Sequence, residues 1–151
     1  MFISHRTSES EWFVDLLADR LSAEFSWQRV FVDRNSMRPG EDFMVRIDAE
    51  LRRCAAMLVL IGPQWSTVKC ADGRRRIDCD DDVVRYEIER ALERGVLVIP
   101  VLFEGARMPS RADLPDEIRA LANRHAKRVD PDHLDHDLEI IVSGLKPLLD
   151  A

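Results

Sequence analysis

Several features that would assign this chain to a specialised class are scarce. Its 151 residues include three cysteines, six glycines and seven prolines, and 7% of the residues are aromatic. A small, odd number of cysteines favours a reducing cytoplasm over a disulfide framework. Cys70 and Cys79 flank a polar loop, and we interpret them as two unrelated thiols. Because no CxxC or HxxxH pattern supplies further ligands, we predict no metal site.

Long apolar runs and an excess of positive charge are also missing. The longest apolar runs, residues 55–62 and 96–103, are far too short to span a bilayer. The first residues do not resemble a secretory signal. The net charge is −6, and the sequence lacks the basic face that binding to nucleic acid requires. We therefore expect a cytoplasmic protein that contacts neither membrane nor nucleic acid directly.

Strand and helix patterns alternate along the whole chain, whose length is typical of one domain. Apolar segments predict five strands, at residues 2–4, 29–32, 57–61, 96–102 and 126–129. Helical periodicity predicts five helices, at residues 8–25, 41–53, 80–94, 115–123 and 133–149. Ser8 and Glu11 form a capping box at the first helix. Met44, Ile47 and Leu51 mark the inner face of the second helix.

This alternation predicts an α/β protein with a flavodoxin-like, three-layer fold. Its five-stranded parallel sheet is expected to have the order 2-1-3-4-5, with helices on both faces. Folds of this kind bind ligands beyond the carboxyl ends of strands 1 and 3, where the winding reverses. In this chain those ends are residues 4–6 and 62–65, so we expect the pocket there.

The first of these ends contains His5 and Arg6, just before the first helix. The free N–H groups of a helix N-terminus attract anions, and the forked guanidinium of Arg6 suits a phosphate. Contact with a pyrophosphate is one interpretation, and a surface loop with an ordinary arginine is the other. No glycine-rich dinucleotide or P-loop motif occurs in the chain.

The helix after strand 3 contains a second candidate. Its apolar stripe comprises Val84, Ile88, Ala91 and Leu92. At about 100° per residue, Glu87 lies roughly 80° from the centre of that stripe, at the border between core and surface. A carboxylate there would be partly desolvated and would face the pocket. The alternative is a solvated glutamate that pairs with Arg90 or Arg94.

Taken in order, the segments resemble the TIR (Toll/interleukin-1 receptor) domain family, and bacterial members in particular. They are FISHRTSE, VFVDRNSMRPGEDF, LVLIGP, DDVVRYEIERAL and VLVIPVLFEG, between residues 2 and 105. The resemblance covers nearly the whole chain. We therefore expect residues 1–151 to form a single TIR domain that is excised from, or N-terminal in, a longer multidomain protein.

The resemblance implies an activity. Some TIR domains are scaffolds, whereas others cleave NAD⁺ to nicotinamide and ADP-ribose or a cyclic ADP-ribose, using a glutamate on the helix after strand 3. That glutamate corresponds to Glu87. The resemblance thus implies an NAD⁺ nucleosidase that uses NAD⁺ as substrate without a further cofactor, is activated by oligomerisation and acts in bacterial antiphage defence. The alternatives are a non-enzymatic TIR scaffold and an enzyme similar to nucleoside deoxyribosyltransferases, which lack the Pro-Gly loop.

The resemblance also implies residues that bind the substrate. Family members suggest that Ser4, His5 and Arg6 line the cleft, and that Asp33, Arg34 and Phe43 contact the nucleotide from the BB region, residues 33–43. Val83 occupies a position where several hydrolysing relatives have tryptophan, and Trp65 is a candidate substitute as a stacking surface. The BB region often completes the site of a neighbouring protomer. Expected partners are therefore other TIR protomers and a fused sensor domain.

Overall fold

A parallel β-sheet forms the centre of the molecule. The computed structural model describes residues 1–7, 9, 11–32 and 39–150. These residues form five strands: β1 (Phe2–Ser4), β2 (Phe31–Val32), β3 (Ala56–Ile61), β4 (Leu97–Leu102) and β5 (Lys127–Arg128). All neighbouring strands pair in parallel, in the order β2-β1-β3-β4-β5. The predicted fold class and strand order are confirmed.

The middle strand, β3, divides the core into two layers. Each of its six residues is buried, as expected for a parallel strand that is covered on both faces. Successive side chains of a strand point to opposite faces. Accordingly, Leu58 and Leu60 join one apolar cluster, whereas Met57 and Val59 join the other. Burial on both faces explains the uninterrupted apolar sequence of this strand.

The α-helices of the described residues cover the two faces in pairs. They are α1 (Glu11–Phe25), α2 (Phe43–Leu51), α3 (Val83–Glu93) and α4 (Leu134–Leu149). Buried residues of α1 and α4, such as Leu17 and Leu138, pack in the first cluster. Buried residues of α2 and α3, such as Ile47 and Ile88, pack in the second. Among the described residues, no helix is both long enough and apolar enough to cross a membrane.

Three local predictions differ from the structure. The second strand is shorter than predicted because Trp27–Arg29 forms a 3-10 turn before it. The predicted helix at residues 115–123 is a 3-10 helix, Asp116–Asn123. Met44 is 45% exposed, because Phe43 takes the inward position at the start of α2. The proposed cap Ser8 lies outside the described residues, and α1 begins at Glu11.

Candidate functional site

Glu87 is buried at the carboxyl end of β1. Its exposed fraction is 1%, and its Oε2 accepts a hydrogen bond of 2.5 Å from the hydroxyl of Ser4, the last residue of β1. Ser4 itself is fully buried. A titratable carboxylate therefore lies beside the position where the winding of the sheet reverses, which is where folds of this class bind ligands.

The burial of Glu87 exceeds what the sequence predicted. Residues on the buried face of α3 are Val84, Glu87, Ile88 and Ala91. Their spacing is the i, i+3, i+4, i+7 pattern of a core-facing stripe. The predicted stripe included Leu92, which is only partly buried, and it placed Glu87 at the border. The helix is rotated so that the glutamate replaces an apolar residue within the stripe.

Arg6 is bound to acceptors of the protein itself. Its Nη1 and Nη2 donate to Oδ1 and Oδ2 of Asp82 at 3.0 and 2.9 Å, and its Nε donates to the carbonyl of Trp65 at 2.8 Å. The exposed fractions of the two side chains are 5% for Arg6 and 2% for Asp82. The structure therefore gives Arg6 a structural role instead of the predicted pyrophosphate contact, because its guanidinium already binds the Asp82 carboxylate.

Asp82 is a site residue that the sequence analysis missed. It immediately precedes α3, at the N-cap position, but its side chain makes no capping hydrogen bond. Instead, its carboxylate binds Arg6, so the pair fixes the start of α3 against the loop after β1. The sequence signal was the acidic run at residues 80–82, which we interpreted only as favourable for the helix dipole.

Trp65 lies inside the protein rather than on its surface. It is 1% exposed, and the Arg6 guanidinium is 5.4 Å from the centre of its ring. Within the described part of the chain, its Nε1 has no hydrogen-bond partner. The open stacking surface predicted for Trp65 is therefore not what the structure shows, because Arg6 already covers the indole.

The other predicted site residues differ in their burial. His5 is buried at the end of β1, and Val83 is the partly buried first residue of α3. Phe43 is partly buried at the start of α2, with its ring centre 6.2 Å from that of Tyr86. Asp33 and Arg34 lie outside the described residues.

A polar network joins α2 to the outer part of α3. The Asp48 carboxylate accepts from the Tyr86 hydroxyl at 3.2 Å and from Nε of Arg90 at 2.8 Å. The Arg90 hydrogen bond is the main cause that lowers the pKa of Asp48. Burial raises the pKa of Tyr86, and the Asp48 charge adds to this effect. This network fixes α3, the helix that bears Glu87, against α2.

Glu9 ties the loop after β1 to the end of β3. Its two carboxylate oxygens accept from the backbone N–H groups of Gly62, at 3.1 Å, and Gln64, at 2.7 Å. Burial raises the pKa of the Glu9 carboxyl, although both backbone donors oppose this shift. A Cβ atom at position 62 would overlap the Glu9 carboxylate and lie 2.9 Å from the Phe103 ring. The sequence analysis did not identify this contact.

The structure pairs two of the cysteines, which the sequence analysis treated as unrelated. Cys70 and Cys79 are joined as a disulfide, with their Cα atoms 7.5 Å apart. Asp72 lies beside them, and the ligand atoms of these three residues lie within 4.8 Å of one another. The prediction of unrelated thiols was wrong because the polar loop folds back on itself between the two positions. Cys54 is a free thiol elsewhere.

A cavity of about 680 Å³ lies at the opposite end of the sheet. It is lined partly by Trp27, Arg53 and Leu149 and contains none of the predicted site residues that the structure describes. Volume alone does not make it the functional site, because parallel α/β sheets bind their ligands at the carboxyl ends of the strands.

Comparison with known proteins agrees with this fold. The family model described as "TIR domain" matches residues 1–137. A protein of Brachypodium distachyon, BdTIR, which is named as a probable 2′ cyclic ADP-D-ribose synthase, is 28% identical over 105 residues. That match covers 69% of this chain but 40% of the plant protein, so the chain spans less than half of its relative.

The structural match extends over more of the chain. The TIR domains of the activated Roq1 resistosome, which recognises the pathogen effector XopQ, match with a TM-score of 0.68 and 11% identity. The match covers 95% of this chain and 97% of that chain. The likeness shows a common fold. Because the family model covers most of its length, the chain belongs to the TIR domain family.

Proposed function

We propose that this protein cleaves the nicotinamide glycosidic bond of NAD⁺ and that Glu87 is the catalytic carboxylate. The observation that supports this most directly is the burial of Glu87, 1% exposed, beside Ser4 at the carboxyl end of β1. A carboxylate withdrawn from water acts more strongly on a developing positive charge than one in bulk solvent. A helix residue that only faced solvent would have no such effect.

One carboxylate suffices for this chemistry. Glycosidases usually need two, because the leaving oxygen has to be protonated. Nicotinamide in NAD⁺ is a cationic pyridinium and leaves as a neutral molecule, so no general acid is required. As the bond from C1′ to the ring nitrogen breaks, Glu87 stabilises the positive charge that develops on the ribose. Water then adds to C1′ and releases a proton, giving ADP-ribose, or a nucleophile of the same molecule adds and gives a cyclic product.

The comparisons support this proposal at the level of reaction class. The plant relative is named for synthesis of a cyclic ADP-ribose, a product that contains no nicotinamide. Formation of linear and cyclic products begins with cleavage of the same bond. We therefore assign glycosidic cleavage to this chain, with NAD⁺ as substrate and no additional cofactor. The proposal includes both linear and cyclic ADP-ribose as products.

We assign the predicted binding residues to two groups. Ser4 orients the Glu87 carboxylate, and Arg6 and Trp65 pack against each other as structural residues. In our proposal, His5, Phe43 and Val83 border the substrate, and Asp33 and Arg34 contact the nucleotide from the BB region. This division rests on contacts, because the guanidinium of Arg6 is already bound to Asp82 and the ring of Trp65 is covered by Arg6.

We further propose that activity depends on assembly. In this proposal the BB region, residues 33–43, completes the site of a neighbouring TIR protomer, so that single copies are inactive and a homo-oligomer or filament is active. A fused sensor domain would drive this assembly in the cytoplasm as part of bacterial antiphage defence. The structural likeness to TIR domains of a resistosome, which is an assembly, supports the dependence on contacts between protomers.

The test is release of nicotinamide from NAD⁺, measured chromatographically with protein tethered densely enough to assemble. We expect Glu87→Gln to lower the rate by at least about 100-fold, comparable to losing one main electrostatic stabiliser of a transition state. Gln has nearly the same shape, so the fold is preserved. Glu89→Gln is the matched control, because Glu89 lies on the same helix but outside its buried face. We expect it to retain activity.

Two results would contradict the proposal. Equal rates for the Glu87→Gln variant and the unmodified protein would remove Glu87 from the mechanism. Assemblies that are demonstrated by light scattering but release no nicotinamide would instead identify a scaffold that signals by TIR–TIR contact. The mass of the second product separates linear from cyclic ADP-ribose, because only the linear product has gained water.

A further inference from the structure

The loop between β3 and α3 contains a cluster that the proposed reaction does not use. We propose that Cys70, Cys79 and Asp72, when the two cysteines are reduced, bind a thiophilic divalent cation such as Zn²⁺. In the described part of the chain, these three residues form the one group of histidine, cysteine or acidic side chains that can hold a metal, with ligand atoms within 4.8 Å of one another. None of the three residues belongs to the site proposed for NAD⁺ cleavage.

A tight hairpin brings two of the ligands together. Lys69 and Arg75 pair in antiparallel fashion, and the N–H of Cys70 donates to the carbonyl of Arg74 at 2.8 Å. The turn at residues 70–73 is closed by a hydrogen bond of 3.0 Å from the N–H of Gly73 to the carbonyl of Cys70. Gly73 has a φ of 88°, which glycine adopts without strain. The sulfur of Cys70 and the carboxylate of Asp72 therefore project from one turn.

The third ligand returns to the hairpin after a single helical turn. The 3-10 helix Arg76–Asp78 ends at Cys79, whose N–H donates to the carbonyl of Arg76 at 3.0 Å. Cys79 is buried, so its sulfur faces the hairpin rather than water. Three residues later the chain reaches Asp82, whose N–H donates to the carbonyl of Cys79 at 3.0 Å. The cluster thus anchors the segment that leads into α3.

The spacing of the two cysteines suits a shared metal ion. Their Cα atoms are 7.5 Å apart. Disulfides usually join Cα atoms about 4.4–6.8 Å apart. Two sulfurs that each bind a tetrahedral zinc at about 2.3 Å lie about 3.8 Å from each other, so they allow a wider backbone separation than a direct bond. The backbone is therefore already spaced for a metal-bridged pair.

The chemistry of the three donors selects the class of metal. Thiolates favour zinc over magnesium or calcium, which prefer all-oxygen sites. Two thiolates and one carboxylate supply three of four tetrahedral positions and leave the fourth for water. Arg74 orients the carboxylate, since its backbone N–H donates to Oδ1 of Asp72 at 3.0 Å and its Nε to Oδ2 at 2.8 Å. The Arg76 guanidinium lies 3.6 Å from the sulfur of Cys70.

Oxidation and metal binding exclude each other at this pair. A phosphine breaks the sulfur–sulfur bond with one water molecule as co-reactant; the phosphine becomes a phosphine oxide, and the two protons of the water leave the cysteines as thiols. The metal ion then displaces both thiol protons as it binds. A small-molecule disulfide reverses this by thiol–disulfide exchange: it accepts the two electrons and leaves as two thiols, the Cys70–Cys79 bond forms again, and the metal loses both thiolate ligands.

The test uses Co²⁺ as a spectroscopic substitute for Zn²⁺. The full chain is reduced with a phosphine, the three free thiols are verified by alkylation and mass spectrometry, and Co²⁺ is titrated in without oxygen. We expect a sulfur-to-cobalt charge-transfer band that saturates at one Co²⁺ per chain and disappears when Zn²⁺ is added. Zn²⁺ should also raise the melting temperature of the reduced protein, because it binds the folded state.

Matched variants assign the ligands. Cys70→Ser and Cys79→Ser should each weaken Co²⁺ binding by more than about 100-fold, whereas loss of an outer partner, as in Arg74→Ala, costs about 10–100-fold. Cys54→Ser is the control and should bind like the unmodified chain, since Cys54 is not part of the cluster. Cys70 is only partly buried, so Cys70→Ser tests the site even where Cys79→Ser disturbs folding.

Three results would overturn the proposal. One is a fully reduced chain that develops no charge-transfer band at stoichiometric Co²⁺. Another is a band of unchanged strength in both Cys70→Ser and Cys79→Ser. The last is a band that disappears in Cys54→Ser. The first result would leave Cys70 and Cys79 as a simple disulfide pair.

Discussion

Two arginine–aspartate pairs, one near each end of α3, have the same chemistry in different surroundings. Arg6 and Asp82 meet before the first turn, with 5% and 2% of their side chains exposed. Arg90 and Asp48 meet near the last turns, with 30% and 22% exposed. Arg90 also pairs with Glu93 at the surface. The two pairs differ in burial rather than in pairing. Removing one partner of the buried pair leaves an unpaired charge in the interior, whereas removing one partner of the exposed pair leaves a charge that water can solvate.

This difference bears on the site. The buried pair holds the loop after β1 against the start of α3, and the Ser4–Glu87 contact lies between the same two elements. The outer pair joins α2 to α3 at a position that water already reaches. We therefore expect substitutions in the buried pair at the start of α3 to destabilise the protein more than substitutions in the partly exposed pair near its last turns.

The largest effect is expected for Arg6→Ala. This substitution leaves Asp82 charged and buried without its main partner, so the free energy of unfolding should fall by about 3–5 kcal/mol. Urea denaturation at neutral pH measures the change. The double variant Arg6→Met, Asp82→Leu removes both charges and fills their space, and it should regain most of that loss. If the free energy of unfolding of Arg6→Ala were within about 1 kcal/mol of that of the unmodified chain, the buried pair would not be what fixes the start of α3.

A smaller effect is expected for Ser4→Ala. The substitution removes the hydroxyl that donates to Glu87, and leaving a buried carboxylate short of one donor costs about 1–3 kcal/mol. Under the proposed function, nicotinamide release should fall as well, since the carboxylate loses its orientation. Ser143 is the matched control, because its hydroxyl donates at 3.2 Å to Glu139 at an exposed position of α4. Ser143→Ala should stay within about 0.5 kcal/mol, and an equal loss in both variants would contradict the comparison.

The smallest effect is expected for Asp48→Asn at the outer end. The Arg90 hydrogen bond lowers the pKa of Asp48 below 3.8, so the folded chain binds fewer protons there than the unfolded chain. The stabilisation is complete above about pH 4 and is lost as the pH falls through the lowered pKa. Asp48→Asn should therefore cost less than about 1 kcal/mol at pH 7.

Near pH 3, Asp48→Asn should lower the free energy of unfolding by even less than it does at pH 7, because part of the stabilisation by Asp48 is already lost in the unmodified chain. Urea denaturation of both proteins at the two pH values measures this narrowing. If the difference in free energy of unfolding between the two proteins were larger at pH 3 than at pH 7, folding would raise the pKa of Asp48, which contradicts the prediction.

The fold could be predicted from sequence because its signals are local. The continuous apolar sequence of β3 indicates a strand covered on both faces, and the helices between strands leave few alternatives for the sheet order. The exceptions are also local. The strand β2 is two residues long, and the helix at Asp116–Asn123 is of the 3-10 type, since weak periodicity does not fix the helix type.

Site residues could be predicted only where the periodicity of a single helix or strand determines their position. Glu87 follows from its place on α3 and from the family resemblance, although its depth was underestimated. Asp82 and Glu9 were missed because their roles depend on partners more than 50 residues away, Arg6 at a separation of 76 and Gly62 at a separation of 53. Pairing at such distances leaves no periodic signal in the sequence.

The crowding at position 62 limits how this protein can diverge. Because the Glu9 carboxylate fills the space that a methyl group at position 62 would need, a side chain at position 62 requires a change at position 9. The ring of Phe103, the residue after β4, closes the same space, so a shortened residue 9 alone would not open it. The bends after three adjacent strands are thus interlocked, and natural variation in one of them constrains what the other two can become.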